Sequence, residues 1–277
     1  MFAINRNDPT KLTLVGEPVA VPGEFPVTVA ASGRNKVVCV GTSGAVAGVS
    51  CSTFSAQGIE GMDSLRAFDI GQTTPPVGPT NTVSHVFFSE DESTVFTTVK
   101  GDPATNKTGF LAAFPVIAPS NCEARASVDQ QGTVIASGDA VLFGSSTIPG
   151  SDNLFVTDAS FGGAGKGVID DQSATCWAVV SPATKTAFVT DVGVNRLVEM
   201  SLEDASIKNI IDLSANGDPG LIDLRAAGNL VYALSPGNGT TPAAVTVVDA
   251  VTKKQVQHLQ LEGIDFGKNA QGMAMLM

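Results

Sequence analysis

Short segments rich in valine, isoleucine, threonine and phenylalanine recur along the whole chain, and turns containing glycine or proline separate them. Residues with β-branched or aromatic side chains favour strands, whereas glycine and proline interrupt regular elements. The pattern therefore predicts an all-β fold with very little helix. The best helical candidate is the segment 202–213, but its residues Ile207, Ile210 and Ile211 fit an outer strand equally well.

An apolar strand, a small polar turn and a second strand recur at several places in the chain. In one clear copy, Leu154–Asp158 is followed by a glycine-rich turn and Gly167–Ile169. In the next, Ala187–Asp191 is followed by a turn and Arg196–Met200. Another strand precedes each copy, and these first strands begin at Pro26, Val83, Val141, Trp177 and Leu221.

Repeated units of about four strands are typical of propeller blades, since one blade must stack on its neighbours to bury both of its faces. The sequence therefore predicts a single β-propeller domain over residues 1–277. A β-sandwich with irregular strand spacing is the alternative architecture.

Composition and charge exclude several classes of protein. Apolar residues make up 43% of the chain and charged residues 16%, which is too little charge for a disordered protein. The net charge of −11 repels phosphate backbones and anionic lipid surfaces, so we expect no nucleic-acid partner. No apolar run approaches the roughly 18 residues of a membrane-spanning helix, so we expect no membrane partner either.

The cysteines are the first candidates for covalent chemistry. Cys39 lies in the apolar run 37–40, and Cys51 follows a turn rich in glycine and alanine. The two residues fit neighbouring antiparallel strands, where Cα atoms come close enough for a disulfide, and we predict a bridge between them. Cys122 and Cys176 could form a second disulfide or could be two buried free thiols, and the sequence does not decide between these alternatives.

Two glycosylation sequons bear on the compartment. Asn106 and Asn238 each stand two residues before a threonine, in turns rich in glycine, proline and threonine. Together with the predicted disulfide they indicate a secreted, extracellular glycoprotein. The residues after Met1 do not form a signal peptide, so we expect the secretion signal to lie upstream of the chain.

Two stretches resemble a known family. Residues 180–197 resemble the blade signature of lactonase-type propellers, which include 6-phosphogluconolactonases and carboxymuconate cyclases. Residues 82–91 are similar to the histidine-containing opening strand of the same family. The likeness extends over nearly the whole chain to secreted fungal proteins of the carboxymuconate-cyclase-like type. It implies a propeller of seven four-stranded blades.

The implied blade number exceeds what the chain supplies. Five first strands, and a sixth blade shared between the two ends of the chain, leave more than one blade missing. Residues 1–4 and 12–15 resemble the outer hairpin of a blade whose inner strands would lie upstream. We therefore expect the N-terminal blade or blades to precede Met1.

The resemblance also implies where chemistry would occur. Lactonising members of the family are expected to place histidine, arginine and glutamate on one rim of the channel. His85 matches the second histidine of the opening-strand motif, whereas Val83 replaces the first. His85 is the catalytic candidate, and a structural role, hydrogen-bonded near the channel, is the alternative. His258 lies in an alternating outer strand and is expected to be an exposed strand residue.

Five further residues are candidates to line a ligand channel: Asp158, Asp191, Arg196, Trp177 and Arg225. The aspartates could instead cap their own turns, the first arginine could form a solvated ion pair, and the only tryptophan could pack in the core. The sequence has no calcium-loop, zinc or dinucleotide spacing, and we predict neither a metal nor a cofactor.

Two functions from different classes follow. The first is a secreted binding protein, an antigen or cell-wall-associated module that holds a small carboxylated or lactone ligand or a component of a cell wall or host surface. The second is a lactonase or muconate-lactonising isomerase. The acidic charge and the missing second histidine favour the first.

Overall fold

The computed structural model describes residues 1–119, 121, 125–138, 140–160, 167–261 and 270–275. Within these residues the regular elements are β-strands and two short 3-10 turns, Pro103–Thr105 and Ser214–Asn216. The all-β prediction is confirmed. No helix of the described chain is long and apolar enough to cross a membrane. The chain divides into two compact units, residues 1–139 and 140–277.

The first unit contains a hairpin and two blade sheets, all antiparallel. Its strands are β1 (Phe2–Ile4), β2 (Leu12–Leu14), β3 (Pro26–Ser32), β4 (Val37–Ser43), β5 (Ala47–Ser55), β6 (Gly58–Ile59), β7 (Arg66–Phe68), β8 (Val83–Phe88), β9 (Thr94–Val99), β10 (Phe110–Ile117), β11 (Ser127–Val128) and β12 (Thr133–Ala136). One sheet has the order β3-β4-β5-β6, with β7 also paired to β5. The other has the order β8-β9-β10-β11, with β12 also paired to β10.

The core of the first unit lies between its two blade sheets. Alternate residues of β4 and β5, such as Val37 and Val49, pack against Val86, Val95 and Phe114 of the other sheet. Strand side chains alternate between faces, so one apolar residue in two is enough to build each wall of this core. Each Å² of apolar surface that these side chains remove from water contributes about 25 cal/mol to the free energy of unfolding. This burial holds the two sheets together.

The second unit contains three antiparallel sheets. Its strands are β13 (Leu142–Thr147), β14 (Leu154–Asp158), β15 (Thr175–Ser181), β16 (Thr186–Asp191), β17 (Arg196–Met200), β18 (Ile207–Asp212), β19 (Asp223–Ala227), β20 (Leu230–Ser235), β21 (Ala244–Asp249) and β22 (Lys254–Gln260). The sheets β15-β16-β17-β18 and β19-β20-β21-β22 are complete four-stranded meanders, whereas β13-β14 is a two-stranded sheet. A cluster that includes Phe188, Leu197, Leu224 and Val231 fills the space between the two meanders.

The five predicted first strands correspond to β3, β8, β13, β15 and β19, with starts within two residues of the expected ones. The segment 202–213 supplies the outer strand β18 and no helix. One expectation is wrong: Gly167–Ile169 does not form a strand. Ile169 instead packs into the cluster of Ala178, Val189 and Met200.

Candidate ligand-binding site

Two of the predicted channel residues lie together in the second unit. Trp177 is on β15 and Arg225 is on β19, the first strands of two sheets that pack on each other. The guanidinium carbon of Arg225 lies 6.0 Å from the centre of the Trp177 ring, within the range of a cation–π contact. Both side chains are partly exposed, so a ligand can reach them.

Asp223 holds the arginine in place, and sequence reasoning missed this residue. Arg225 Nη1 donates to Asp223 Oδ1 and to the carbonyl oxygen of Leu224, both at 2.7 Å. The carboxylate also accepts hydrogen bonds from the backbone N–H groups of Leu224 and Met273. Burial raises the pKa of Asp223, and the positive charge of Arg225 and these hydrogen bonds oppose the rise.

A cavity of about 760 Å³ adjoins the arginine. Its lining includes Arg225, Gly228, Tyr232, Met273 and Met275. Tyr232 stands directly opposite Arg225 in the β19–β20 register, so the two side chains project from the same face of the sheet, and both line the cavity. A charged group, an aromatic ring and apolar walls around a concave space are the usual composition of a small-molecule site.

Asp158 and Asp191 each end the second strand of a sheet and cap the segment that precedes the first strand. Asp158 Oδ1 accepts hydrogen bonds from the N–H groups of Val141 and Ser160. Asp191 accepts three, from Ser173, Ala174 and Gly193. The structure does not bring these carboxylates to the Arg225 cavity, and their role in binding a ligand stays a prediction.

The threonine that precedes each of these aspartates has a matching role. Thr157 Oγ1 accepts a hydrogen bond from Gly144 N at 2.9 Å, and Thr190 Oγ1 accepts one from Trp177 N at the same distance. The two donating N–H groups lie within β-bulges, where an N–H group has no carbonyl partner on the neighbouring strand. The repeated Val-Thr-Asp sequence therefore reflects the local geometry of the blade.

Arg196 begins β17 and lies opposite Asp212 in the register. Its Nη2 donates to the carbonyl oxygen of Asp170 at 2.7 Å. This bond fixes the connection between β14 and β15 against the turn before β17. Its predicted ligand role stays a prediction.

His85 lies on β8, in the first unit. Its ring stacks on Phe87 with the centroids 4.9 Å apart and an interplanar angle of 25°. Phe87 in turn packs on Phe96 of β9. His85 is half-buried beside aromatic rings, and its catalytic role stays a prediction.

The expectation for His258 is wrong. Its side chain is 16% exposed, and Nε2 lies 3.1 Å from both carboxylate oxygens of Asp218. Asp218 precedes β19 and is buried, and Thr246 of β21 also donates to it. Strand alternation placed the histidine on β22 correctly but could not show that the loop before β19 packs an aspartate against it.

The predicted disulfide between Cys39 and Cys51 is confirmed. The two residues are directly paired between β4 and β5, and both are buried. Cys176 is also buried, with Sγ 3.4 Å from the carbonyl oxygen of Ile222. Cys122 lies outside the described residues, so the alternatives for this pair stay open.

The two sequon asparagines are exposed. Asn106 follows the 3-10 turn Pro103–Thr105, with a left-handed backbone. Asn238 accepts hydrogen bonds through its side-chain oxygen from the N–H groups of Thr240 and Thr241. Among the described residues no group of three or more histidine, cysteine or acidic side chains is arranged to hold a metal ion.

Comparison with solved structures identifies the fold. The chain is similar to a provisionally assigned 6-phosphogluconolactonase from Bacteroides uniformis, with 14% identity, a TM-score of 0.63 and coverage of 94% of this chain and 77% of the other. A second provisionally assigned 6-phosphogluconolactonase, from Bacteroides fragilis, gives 15% identity, a TM-score of 0.62 and coverage of 95% and 77%. A chain of the mitotic checkpoint complex gives 13% identity, a TM-score of 0.58 and coverage of 94% and 71%.

Sequence comparison adds no assignment: no protein-family profile matches the chain, and neither does any curated protein. At identities near 14% the structural likeness speaks for the fold alone. The number of blades and the expected missing N-terminal part stay predictions. The chain has the fold of a lactonase-type β-propeller built from four-stranded blades.

Proposed function

We propose that this protein is an extracellular β-propeller of the carboxymuconate-cyclase-like type that binds a small carboxylated molecule at Arg225. One observation carries the proposal. Asp223 and the Leu224 carbonyl hold Nη1, while Nε and Nη2 of Arg225 donate to no other residue of the described chain. These two nitrogens form the edge of the guanidinium that binds a carboxylate through two parallel hydrogen bonds.

The surroundings of Arg225 select the ligand. The arginine is already partly neutralised by Asp223, so a single carboxylate suits the site better than a dianion. The ring of Trp177 lies beside the guanidinium, and Tyr232 lines the same cavity as Arg225. A planar or unsaturated carboxylate could place its charge on the arginine edge and its carbon skeleton along these rings.

Calorimetric titration with a panel of small carboxylates tests this proposal. The panel pairs two monocarboxylates, gluconate and the planar, unsaturated sorbate, with their amides, which keep the shape and lose the charge. We expect carboxylates to bind and the amides not to bind. Arg225→Gln should weaken binding about 30-fold, because charge-assisted hydrogen bonds contribute about 1.5–3 kcal/mol.

Arg6→Gln is the matched control. Arg6 is exposed in the first unit and its loss changes the net charge by the same amount. It should leave affinity unchanged. A panel without any binder, or equal binding by Arg225→Gln, would reject the proposal.

The extracellular part of the proposal is supported by the Cys39–Cys51 bridge and by the exposure of both sequon asparagines. A secreted position would let the propeller contact a cell-wall or host-surface component. Expression through a eukaryotic secretory pathway, followed by glycosidase treatment, tests it. We expect two glycans that Asn106→Gln and Asn238→Gln remove one at a time, and an unglycosylated secreted protein would argue against it.

Lactonase or lactonising isomerase activity is the second candidate. The raised pKa of Asp223, beside a cation that could hold a carboxylate, provides a group that exchanges protons at milder pH than an ordinary aspartate. The two similar Bacteroides proteins carry a lactonase assignment. Turnover of lactones or muconates that Asp223→Asn or His85→Ala abolishes would favour the enzyme. Binding without turnover would favour the binding protein.

A further inference from the structure

The sheet β13-β14 has two strands where its neighbour β15-β18 has four. In the described chain no strand pairs with the outer edge of β14. Such an edge presents a row of backbone donors and acceptors that can template another strand. The positions of the outward N–H and C=O groups of β14 therefore determine which strand could pair with this edge.

The hairpin register identifies the outward groups. Ile148 N donates to the carbonyl oxygen of Asn153, and Phe155 lies opposite Ser146. Antiparallel residues alternate between those bonded to the partner strand and those whose N–H and C=O point away. Leu154 and Val156 belong to the second set, and their outward groups make no hydrogen bond within the described part of the chain.

A cavity of about 500 Å³ runs along this edge. Its apolar part includes Phe155, Val189 and Met200, which belong to or pack on the cluster below β14. Its rim carries two exposed acidic side chains, Glu203 and Asp204. Hydrogen bonds from Ser206 and Ser201 lower the pKa of Asp204 to about 2, so its charge is present at neutral pH.

Positive charge is missing from this lining: the described residues of the cavity include no lysine or arginine. Asp158 also lines it, but two backbone N–H groups already engage that carboxylate. The negative charge available to a partner is therefore that of Glu203 and Asp204, and the exposed Lys208 offsets part of the charge of Asp204.

We propose that the edge of β14 binds an extended peptide of a partner protein, which adds as a third strand. The Leu154 and Val156 backbone groups would pair with the peptide main chain. Side chains on one face would cover Phe155 and Met200, and these should be apolar. Basic side chains of the peptide would meet the acidic rim. This site is separate from the Arg225 cavity and does not depend on the proposed ligand there.

Fluorescence anisotropy with a labelled eight-residue peptide of alternating lysine and valine tests the proposal. We expect saturable binding that weakens several-fold when salt is raised from about 0.05 to 0.5 M, because screening weakens attraction to the acidic rim. An alternating glutamate and valine peptide should not bind. Equal binding of both peptides would overturn the proposal.

Two peptides methylated on the backbone nitrogen separate strand pairing from charge attraction. One carries the methyl groups on every valine and the other on every lysine. Since alternate N–H groups point to opposite edges of a strand, one peptide should lose binding at least 10-fold and the other keep it. If both bind like the parent, no third strand forms.

Val156→Pro removes one outward N–H from the edge and should weaken the peptide about 10-fold. Proline is tolerated on an edge strand where the N–H faces away from its partner. Val134→Pro is the matched control, because the β10–β12 register gives Val134 an outward N–H on an edge strand of the first unit. It should leave peptide affinity unchanged, and equal loss in both variants would overturn the assignment.

Hydrogen exchange of the free protein keeps the proposal falsifiable even if a variant misfolds. The Leu154 and Val156 amides should exchange fast in the free wild-type protein and slow down when the peptide is added. Slow exchange in the free protein would show that the edge is already covered. Slowing that depends on protein concentration would assign the edge to a second copy of the chain, and either result overturns the proposal.

Discussion

The guanidinium of Arg225 lies over the ring of Trp177 at 6.0 Å, and the two residues come from the first strands of different sheets. Neither strand alone makes a ligand site. Their packing places the aromatic face of Trp177 against the positive charge of Arg225, which lines the cavity. This relationship also gives the site its own spectroscopic probe.

Trp177 is the only tryptophan of the chain, so its fluorescence reports on the site. We expect a bound carboxylate to change the emission of Trp177, because it redistributes charge beside the indole ring. Titration followed at the emission maximum should give the calorimetric affinity, and Arg225→Gln should abolish the change. A bound ligand that leaves the emission unaltered would place it away from this pair.

The Cys39–Cys51 bridge should contribute about 3 kcal/mol to the free energy of unfolding, since it closes a loop of 12 residues in the unfolded chain. Urea unfolding of the double variant Cys39→Ala, Cys51→Ala measures the loss. Reduction of the wild-type protein should give a similar shift. A midpoint that both treatments leave in place would contradict this value.

Asp191→Ala should destabilise the protein by about 2–4 kcal/mol, because three backbone N–H groups lose their acceptor and the site is buried. Chemical denaturation gives the change. Asp212→Ala is the comparison, since Asp212 is exposed and accepts one backbone hydrogen bond from Ser214. Its effect should be well below that of Asp191→Ala, and similar losses would contradict the capping role.

The buried carboxylate of Glu199 should depend on Lys253. Lys253 Nζ lies 2.5 Å from Glu199 Oε1, which joins the turn before β22 to β17, and the same nitrogen lies 5.2 Å from the centre of the Phe188 ring. Lys253→Met keeps the apolar stem and removes the charge, and we expect a loss of about 2 kcal/mol. Adding Glu199→Gln should restore part of it. A fully additive double variant, measured by urea unfolding, would show that the pair is not coupled.

Asp223 should make stability depend on pH. Burial raises its pKa above 3.8, so the folded protein holds this proton more tightly than the unfolded chain does. The resulting stabilisation is fully present below the unfolded pKa and is lost as the pH rises through the folded pKa. The free energy of unfolding, taken relative to Asp223→Asn, should therefore fall as the pH rises from about 4. A difference that stays constant or rises would contradict the raised pKa.

Much of the fold could be predicted because its signals are local. Alternation and turn residues located the first strands of the five described blade sheets, and the short spacing between Cys39 and Cys51 indicated a hairpin bridge. Asp223 and Asp218 were missed because both lie in or next to a connection whose packing depends on strands far along the chain.

The all-β class, the blade repeat and the candidates Trp177 and Arg225 could be recognised in the sequence, since they follow from side-chain type and near-neighbour spacing. Three features became visible only in the folded chain: the contact between these two residues, the hydrogen bond by which Asp223 orients the guanidinium, and the unpaired edge of β14 in the described chain. Such contacts form between strands that are distant in sequence. Their positions depend on how the sheets pack, which no local pattern encodes.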